Sequence, residues 1–373
     1  MLSAFMLTLV AAAAPADDTP LTFERLKISD AAFEAASALD VDKDGHIDIV
    51  SGGYWYEGPA FTAQHKICDI PPQGEYFDDF GDYPMDVNGD GYVDIVTGGY
   101  WGKQVQWREN PKGKHIEWET HDIAPAGSIE RPCFYDLDGD GYVEIIPNET
   151  DSLTVHKLIR TAKGKGTATF EHYVVRPGGQ GHGLGFGDLN ADGREDIILH
   201  DGWFEQPSEG LGGKWTWHQD FELGSASVPV ITYDVNGDGL NDLIVGQAHP
   251  YGLDWIEKTK DGKWVKHAID PHRSQYHDMI MADIDNDGDL ELITGKRYRA
   301  HNGHDPGSKD PVGVYYFEIN GGEFERVTLD YGPADRASGL GIFGWVEDVD
   351  GNGWKDVVAP GKEGLYLFKN MGR

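Results

Sequence analysis

Along most of its length the chain alternates short apolar runs with glycine-rich polar turns. The runs carry the period-two pattern of β-strands and not the 3.6-residue period of helices. One unit shows the order. A strand such as Gly183-Leu184-Gly185-Phe186-Gly187 runs into an acidic loop, and a β-branched strand such as Ile197-Ile198-Leu199 or Ile49-Val50 leaves it. An aromatic third strand follows, as in Trp55-Tyr56-Glu57 or Leu253-Asp254-Trp255-Ile256. A polar-aromatic fourth closes the unit, as in Trp264-Val265-Lys266-His267-Ala268-Ile269-Asp270. Four antiparallel strands per unit make a propeller blade.

The acidic loop recurs as D-x-[D/N]-x-[D/N]-G-x-x-[D/E], beginning at Asp40, Asp86, Asp136, Asp188, Asp234, Asp283 and Asp348. Gaps between copies run from 46 to 52 residues, and the last stretches to 65. That is blade spacing, and it predicts an all-β, seven-bladed β-propeller. After the last loop only two strands fit, Asp356 to Ala359 and Leu365 to Phe368. Phe23-Glu24-Arg25-Leu26-Lys27-Ile28 resembles the fourth strand of the sixth unit, Phe324-Glu325-Arg326-Val327-Thr328-Leu329. The N-terminal strand is therefore expected to close the last blade and remove the open edge.

Loop positions 1, 3, 5 and 9 present oxygen ligands to one centre, with glycine at position 6 for the tight turn. The sets are Asp40, Asp42, Asp44 and Asp48; Asp86, Asn88, Asp90 and Asp94; Asp136, Asp138, Asp140 and Glu144; Asp188, Asn190, Asp192 and Asp196. The remaining three are Asp234, Asn236, Asp238 and Asp242; Asp283, Asp285, Asp287 and Glu291; Asp348, Asp350, Asn352 and Asp356. Calcium takes six to eight hard oxygens, so several structural Ca²⁺ ions are expected. An EF-hand is excluded, because strands flank the loop and the acid stands at position 9 instead of 12. Asp/Asn turns closed on themselves without metal are the alternative. The loop pattern resembles FG-GAP (VCBS) repeats over nearly the whole of residues 17–373, which implies one propeller domain.

Composition changes the picture at three points. The formal net charge is −33 with 64 acidic side chains. A large share of the acids lie in the loops, where divalent cations would neutralise them, and the balance argues against a nucleic-acid partner. At the start, Leu2 to Val10 is a short apolar run, and Ala14-Pro15-Ala16 has the small residues of a cleavage site. Residues 1–16 read as a signal peptide, although a basic n-region is lacking beyond the start amine. A secreted or periplasmic product cleaved near Ala16 is expected. No later apolar run is long enough to span a bilayer. Cys68 and Cys133 are too few for a disulfide framework, and their pairing is open, as is oligomeric state.

Hairpin geometry sends both ends of each acidic hairpin to the face opposite its loop. Residues before the first strand and after the second must gather there. His182, Tyr276, His277, Arg131 and Tyr83 stand before or at the start of first strands, and His249, Trp55 and Trp101 follow second strands. The sixth unit adds Lys296, Arg297 and Arg299, with His301 and His304 in an inserted loop. A funnel of imidazoles, guanidinium groups and tyrosines suits acid–base chemistry near neutral pH. His182 and His277 are candidate bases, with Tyr276 or Tyr83 to relay a proton. Arg131, Arg297 or a His-bound metal such as Zn²⁺ would stabilise an enolate. Trp55 and Trp101 would support pyranose rings, and Lys296, Arg299, His301 and His304 would hold the rest of a carbohydrate partner. A glycosidase built on Glu130, Glu149 or Asp201 is the competing chemistry.

Three stretches add a second resemblance. They are residues 181–188 (GHGLGFGD), residues 246–255 (GQAHPYGLDW), and Tyr276-His277-Asp278 with residues 296–304. They are similar to exported bacterial VCBS-repeat proteins and to the propeller of the aldos-2-ulose dehydratase family, and more distantly to propeller polysaccharide lyases. That resemblance implies a carbon–oxygen lyase acting on a keto-sugar or a uronic-acid-containing glycan, with metal and histidine in the funnel. The chain lacks the cupin domains of the dehydratase family. The rival expectation is a non-catalytic propeller that binds carbohydrate or protein.

Overall fold

The computed structural model describes residues 19–373, so the expected signal peptide lies outside them. The described residues form seven four-stranded antiparallel sheets and one small hairpin, Pro72–Gln73 with Tyr76–Phe77, and contain no α-helix. From the axis outward, blade 1 runs Ser37–Leu39, Asp48–Ser51, Tyr54–Tyr56, Gln64–Lys66. Blade 2 runs Tyr83–Met85, Asp94–Gly98, Gln104–Glu109, Glu119–Pro125, and blade 3 runs Ile129–Tyr135, Glu144–Glu149, Ser152–Arg160, Gly166–Pro177. Blade 4 has Leu184–Gly187, Asp196–Leu199, Gly202–Glu205, Thr216–His218; blade 5 has Ile231–Tyr233, Asp242–Gly246, Leu253–Lys258, Trp264–Ala268. Blade 6 has Tyr276–Ala282, Glu291–Lys296, Val312–Asn320, Glu323–Gly332. Blade 7 combines Trp345–Glu347, Asp356–Gly361 and Gly364–Asn370 with the N-terminal Phe23–Ser29, which pairs antiparallel from Phe23↔Asn370 onward. The seam is closed as expected. No helix among the described residues is long and apolar enough to cross a membrane.

The core lies between blades. Second strands are buried on both faces, so they read as continuous apolar runs instead of alternating ones. Ile49, Val50, Ile95, Val96, Ile197, Ile198, Leu243 and Ile244 are all sealed from solvent, each stabilising the fold by roughly 1.5–3 kcal/mol.

The acidic loops obey one wiring rule. In all seven, the position-9 carboxylate accepts the N–H of the apolar residue at position 2, over 2.8–3.3 Å. In five it also accepts an N–H at or just after the end of the third strand: Gly58, Asn110, Gln206, Lys258 and Asn370. The position-6 glycines have φ between +83° and +98°, a region that side chains with a Cβ rarely adopt. The position-1 carboxylate leaves one buried oxygen without a partner in Asp40, Asp86, Asp136 and Asp283. Blade 3 differs. Lys157 reaches into its loop and donates to Asp138 (2.5 Å), Asp140 (2.7 Å) and Glu144 (3.1 Å).

Two cavities lie along the axis. One of about 580 Å³, lined by Tyr83, Phe134, Tyr135, Phe186, Phe343 and Trp345, reaches Asp188 and Glu195 at the acidic-loop end. The other, about 440 Å³, sits at the opposite end. Residues 340–344 pass between them. Ile342 faces the second cavity, while Phe343 and Gly344 face the first. Ile342 and Phe343 donate to the Glu34 carbonyl and Gly344 to Asp278, which fixes this partition.

Candidate active site

The larger cavity is mainly aromatic, and its one guanidinium, Arg131, is tied to Asp278 at 2.8 Å. The smaller one gathers the titratable groups. Its wall includes Tyr76, Trp101, Glu130, Asn148, His182, Arg297 and His301. Glu130 belongs to the inner strand of blade 3, and His182 precedes that of blade 4. His249 follows the second strand of blade 5, and the inserted loop of blade 6 brings His301 and Asp305.

These side chains form a continuous chain of contacts. Glu130 Oε1 lies 3.0 Å from His277 Nε2, and Glu130 Oε2 lies 3.1 Å from His182 Nδ1, off the hydrogen-bonding direction. His182 Nε2 faces His249 Nε2 at 2.8 Å. His249 Nδ1 meets Asp305 Oδ2 at 2.8 Å, and Asp305 Oδ1 holds His301 Nδ1 at 3.1 Å. The His301 ring stacks on His249 with centroids 4.2 Å apart. Ligand atoms of Glu130, His182 and His249 all fall within 4.8 Å of one another. Two imidazole nitrogens and one carboxylate, with Asp305 orienting His249 from behind, match the donor set of a borderline transition ion. The buried, partnerless His182 Nδ1 fits the same reading.

Electrostatics assigns the protons. Burial opposes ionisation of Glu130, but the bond from His277 and the neighbouring His182 offset it and hold the carboxyl at about 2. Burial and the Arg297 charge push His277 down to about 4. A neutral His277 donating from Nε2 leaves Nδ1 bare, which suits that atom's lack of a partner. Burial and the facing His182 also lower His249, whose Asp305 bond works the other way. Arg297 is held by Glu34 through two bonds of 2.8 and 3.2 Å. Tyr76 accepts the Asn302 N–H at 3.2 Å, and burial pushes its hydroxyl above the usual tyrosine range.

The inserted loop is strained. Arg299, His301 and Asn302 have φ of 49°, 47° and 55°, a region costly for residues with a Cβ. Three such residues in succession, with only Ala300 between, turn the loop back so that His301 lies over His249.

The family model described as FG-GAP-like repeat matches residues 86–146 and 234–294. These two stretches carry the FG-GAP-like repeat. No curated protein sequence matches it. Similar solved structures include an Agrocybe aegerita lectin that recognises non-reducing terminal N-acetylglucosamine, at 17% identity. The alignment covers 83% of this chain and 81% of the lectin, with a TM-score of 0.48. A Lactobacillus plantarum protein is 12% identical over 83% of this chain and 86% of its own, TM-score 0.48. A rhamnogalacturonan lyase is 12% identical over 96% of this chain and 75% of its own, TM-score 0.46. Nothing about activity follows from such distant likeness.

Strand register explains which expected site residues reach the funnel. His182, Arg297, His301 and Trp101 line it, and His249 stands behind them against His182 and His301. His277 touches Glu130 but is fully buried, so it can position that carboxylate and cannot serve as a base in contact with substrate. Tyr276 turns away. Neighbours on a strand face opposite sides, and its hydroxyl is sealed between blades on Asp270 at 2.8 Å. Lys296 alternates with Arg297 in the same way and ends on Ser274 and Gln275. Arg131 and Tyr83 line the other cavity, with Tyr83 stacked on Phe134 at 4.0 Å. Trp55 is the equivalent of Trp107, Trp203 and Trp255 and not of Trp101. Each of these third-strand indoles stacks on a fourth-strand histidine, 4.2–4.5 Å away. Arg299 pairs with Glu75 at the rim, and His304 is exposed, bonded only to the His301 carbonyl. Cys68 and Cys133 are both free.

The sequence reading missed Tyr76 and Asp305. Asp305 lay in the same inserted loop, next to His304 and four residues after His301. Tyr76 had no signal, because its hairpin interrupts the repeat between blades 1 and 2.

Proposed function

We propose that the imidazole-lined cavity is the active site of a carbon–oxygen lyase acting on a keto-sugar or a uronic-acid-containing glycan, carried by an exported propeller that calcium stabilises. One observation supports the reading above others. The chain Glu130–His182–His249–Asp305–His301 ends on an imidazole whose Nδ1 is held by a carboxylate and whose ring borders the cavity. Trp101 and Tyr100, 40% and 45% exposed, offer apolar faces on the same wall. Asn148, Ser128 and Thr150 supply polar groups for sugar hydroxyls.

In this reading the sugar ring lies against Trp101, with its carbonyl or carboxylate towards Arg297. His301 Nε2 removes the acidic proton next to that group. The electron pair moves onto the carbonyl oxygen, where Arg297 stabilises the charge. It then returns to form the carbon–carbon double bond as the carbon–oxygen bond breaks. The Tyr76 hydroxyl donates its proton to the departing oxygen, and Asp305 stabilises the imidazolium left on His301. Glu130, His182 and His249 fit an ion such as Zn²⁺, which when bound would polarise the substrate carbonyl.

For the acidic loops, the orphaned oxygens of Asp40, Asp86, Asp136 and Asp283 fit calcium. Burial and neighbouring carboxylates push Asp94 and Asp196 to about 7 and Glu291 to about 8, a burden that a divalent ion relieves. The third loop fits an ion less well, because the Lys157 ammonium stands among its carboxylates.

The test is ultraviolet absorbance during incubation with keto-sugars and uronic-acid glycans, since elimination creates a conjugated double bond. Rising absorbance that disappears in His301→Ala supports the lyase. Retention on a glycan array with no absorbance from any substrate would instead leave a carbohydrate-binding module.

A further inference from the structure

Away from the funnel, four blades share a surface motif. A third-strand tryptophan stacks on a fourth-strand histidine, and a glutamate two residues after the tryptophan bonds that histidine: Glu57–His65, Glu109–His121, Glu205–His218 and Glu257–His267, at 2.8–3.0 Å. In most blades this pair locks two outer strands together. Blade 1 departs from the pattern. His115, from the loop joining the third and fourth strands of blade 2, lies with its ring 3.9 Å from that of His65 and 5.3 Å from Trp55. Ligand atoms of Glu57, His65 and His115 lie within 4.8 Å of one another.

The loop that delivers His115 is anchored on both sides. Asn110 donates to the Val41 carbonyl at 2.9 Å and accepts from Gly113 at 2.8 Å. The buried Trp118 donates its backbone N–H to Ile67 of blade 1 at 2.8 Å, and Lys66 pairs with Glu117 at 2.9 Å. His115 is thereby brought against blade 1 before any ligand arrives, so binding orders little that is loose.

We propose that Glu57, His65 and His115 form a binding site for one borderline divalent ion, Zn²⁺ or Cu²⁺, that bridges blades 1 and 2 on the outer surface. Two imidazole nitrogens and one carboxylate select such ions over the harder Ca²⁺, which prefers oxygen alone. His115 is exposed, so one side of the ion stays open to water. The site is independent of the funnel: its ligands sit on outer strands and a surface loop.

The probe is Cu²⁺, titrated into the full chain stripped of transition metals and held in excess Ca²⁺. A His182→Ala/His249→Ala background removes both imidazoles of the funnel's candidate metal set. One ion should bind, with paramagnetic resonance showing two nitrogen ligands and with quenching of tryptophan fluorescence from Trp55. His115→Ala, an exposed loop change, should weaken binding at least ~10-fold, as loss of a metal ligand does. His218→Ala, the blade 4 counterpart on the far side of the ring from His115, should leave it unchanged. Equal binding in His115→Ala, or equal loss in His218→Ala, would overturn the site.

Discussion

The two ends of the toroid use similar side chains to opposite purposes. At the acidic-loop end the same carboxylates recur in every blade, and each position-9 acid is spent on backbone N–H groups. At the other end nothing recurs. Glu130, His182, His249 and the His301–Asp305 loop each come from a different place in the repeat, and they bond to one another across blades. Residues that obey the period hold blades, because every blade has the same backbone to satisfy. Residues that break the period face a single shared volume, where identical groups from all blades would only crowd. The blade 1 surface cluster repeats that lesson in miniature, since its extra imidazole comes from a neighbouring blade and not from the common motif.

The comparison is broken most severely by a swap of effects between the ends. His301→Ala should reduce turnover by about 10²–10⁴-fold while moving the thermal midpoint by no more than ~2 °C. A large midpoint loss would return that histidine to a structural role. Conversely, Asp196→Ala removes the acceptor of two buried N–H groups, Leu189 and Gln206. It should cost about 2–5 kcal/mol in denaturant unfolding, with turnover per folded molecule preserved. Chelation of calcium should come next. Each loop filled to a hundred times its Kd loses about 2.7 kcal/mol when stripped, and re-addition of Ca²⁺ should restore the midpoint. A stripped protein melting at the same temperature would empty the loops of their assigned ion.

Smaller effects sharpen the picture. Trp101→Ala should raise KM or Kd for the sugar roughly tenfold, about 1.4 kcal/mol, without altering kcat by a comparable factor. Lys157→Met deletes the internal cation of blade 3 and leaves Asp138, Asp140 and Glu144 to repel one another. Its stability should depend on calcium by about 1 kcal/mol more than that of the parent chain. An unchanged calcium dependence would show that the third loop already holds an ion.

Much of the site was legible before any coordinates, but only to the precision of a face. Hairpin logic placed His182, His249, Arg297, His301 and Trp101 at one end. It could not tell Tyr276 from His277, or Lys296 from Arg297, because adjacent strand residues diverge and a one-residue uncertainty in register exchanges them. Trp55 and Trp101 each follow a tyrosine, yet the ladder Val50↔Trp55 and Val96↔Trp107 gives them different places in the blade. Counting from the acidic loops could not have found this difference, since both indoles stand seven residues beyond a position-9 aspartate and only the longer turn before the third strand of blade 2 separates them.

Period alone determined the number of blades, the seam closed by the N-terminal strand and the wiring of the loops. The loops depend on contacts between residues a few positions apart, repeated until the ring is full, and the seam pairs Phe23–Ser29 with Gly364–Asn370 once that repetition has brought them together. The partition of the axis by residues 340–344, the reach of Tyr76 into the cavity and the approach of His115 to blade 1 were decided only in three dimensions. They depend on where an interruption of the repeat lands after the ring closes, and no local spacing encodes that landing place.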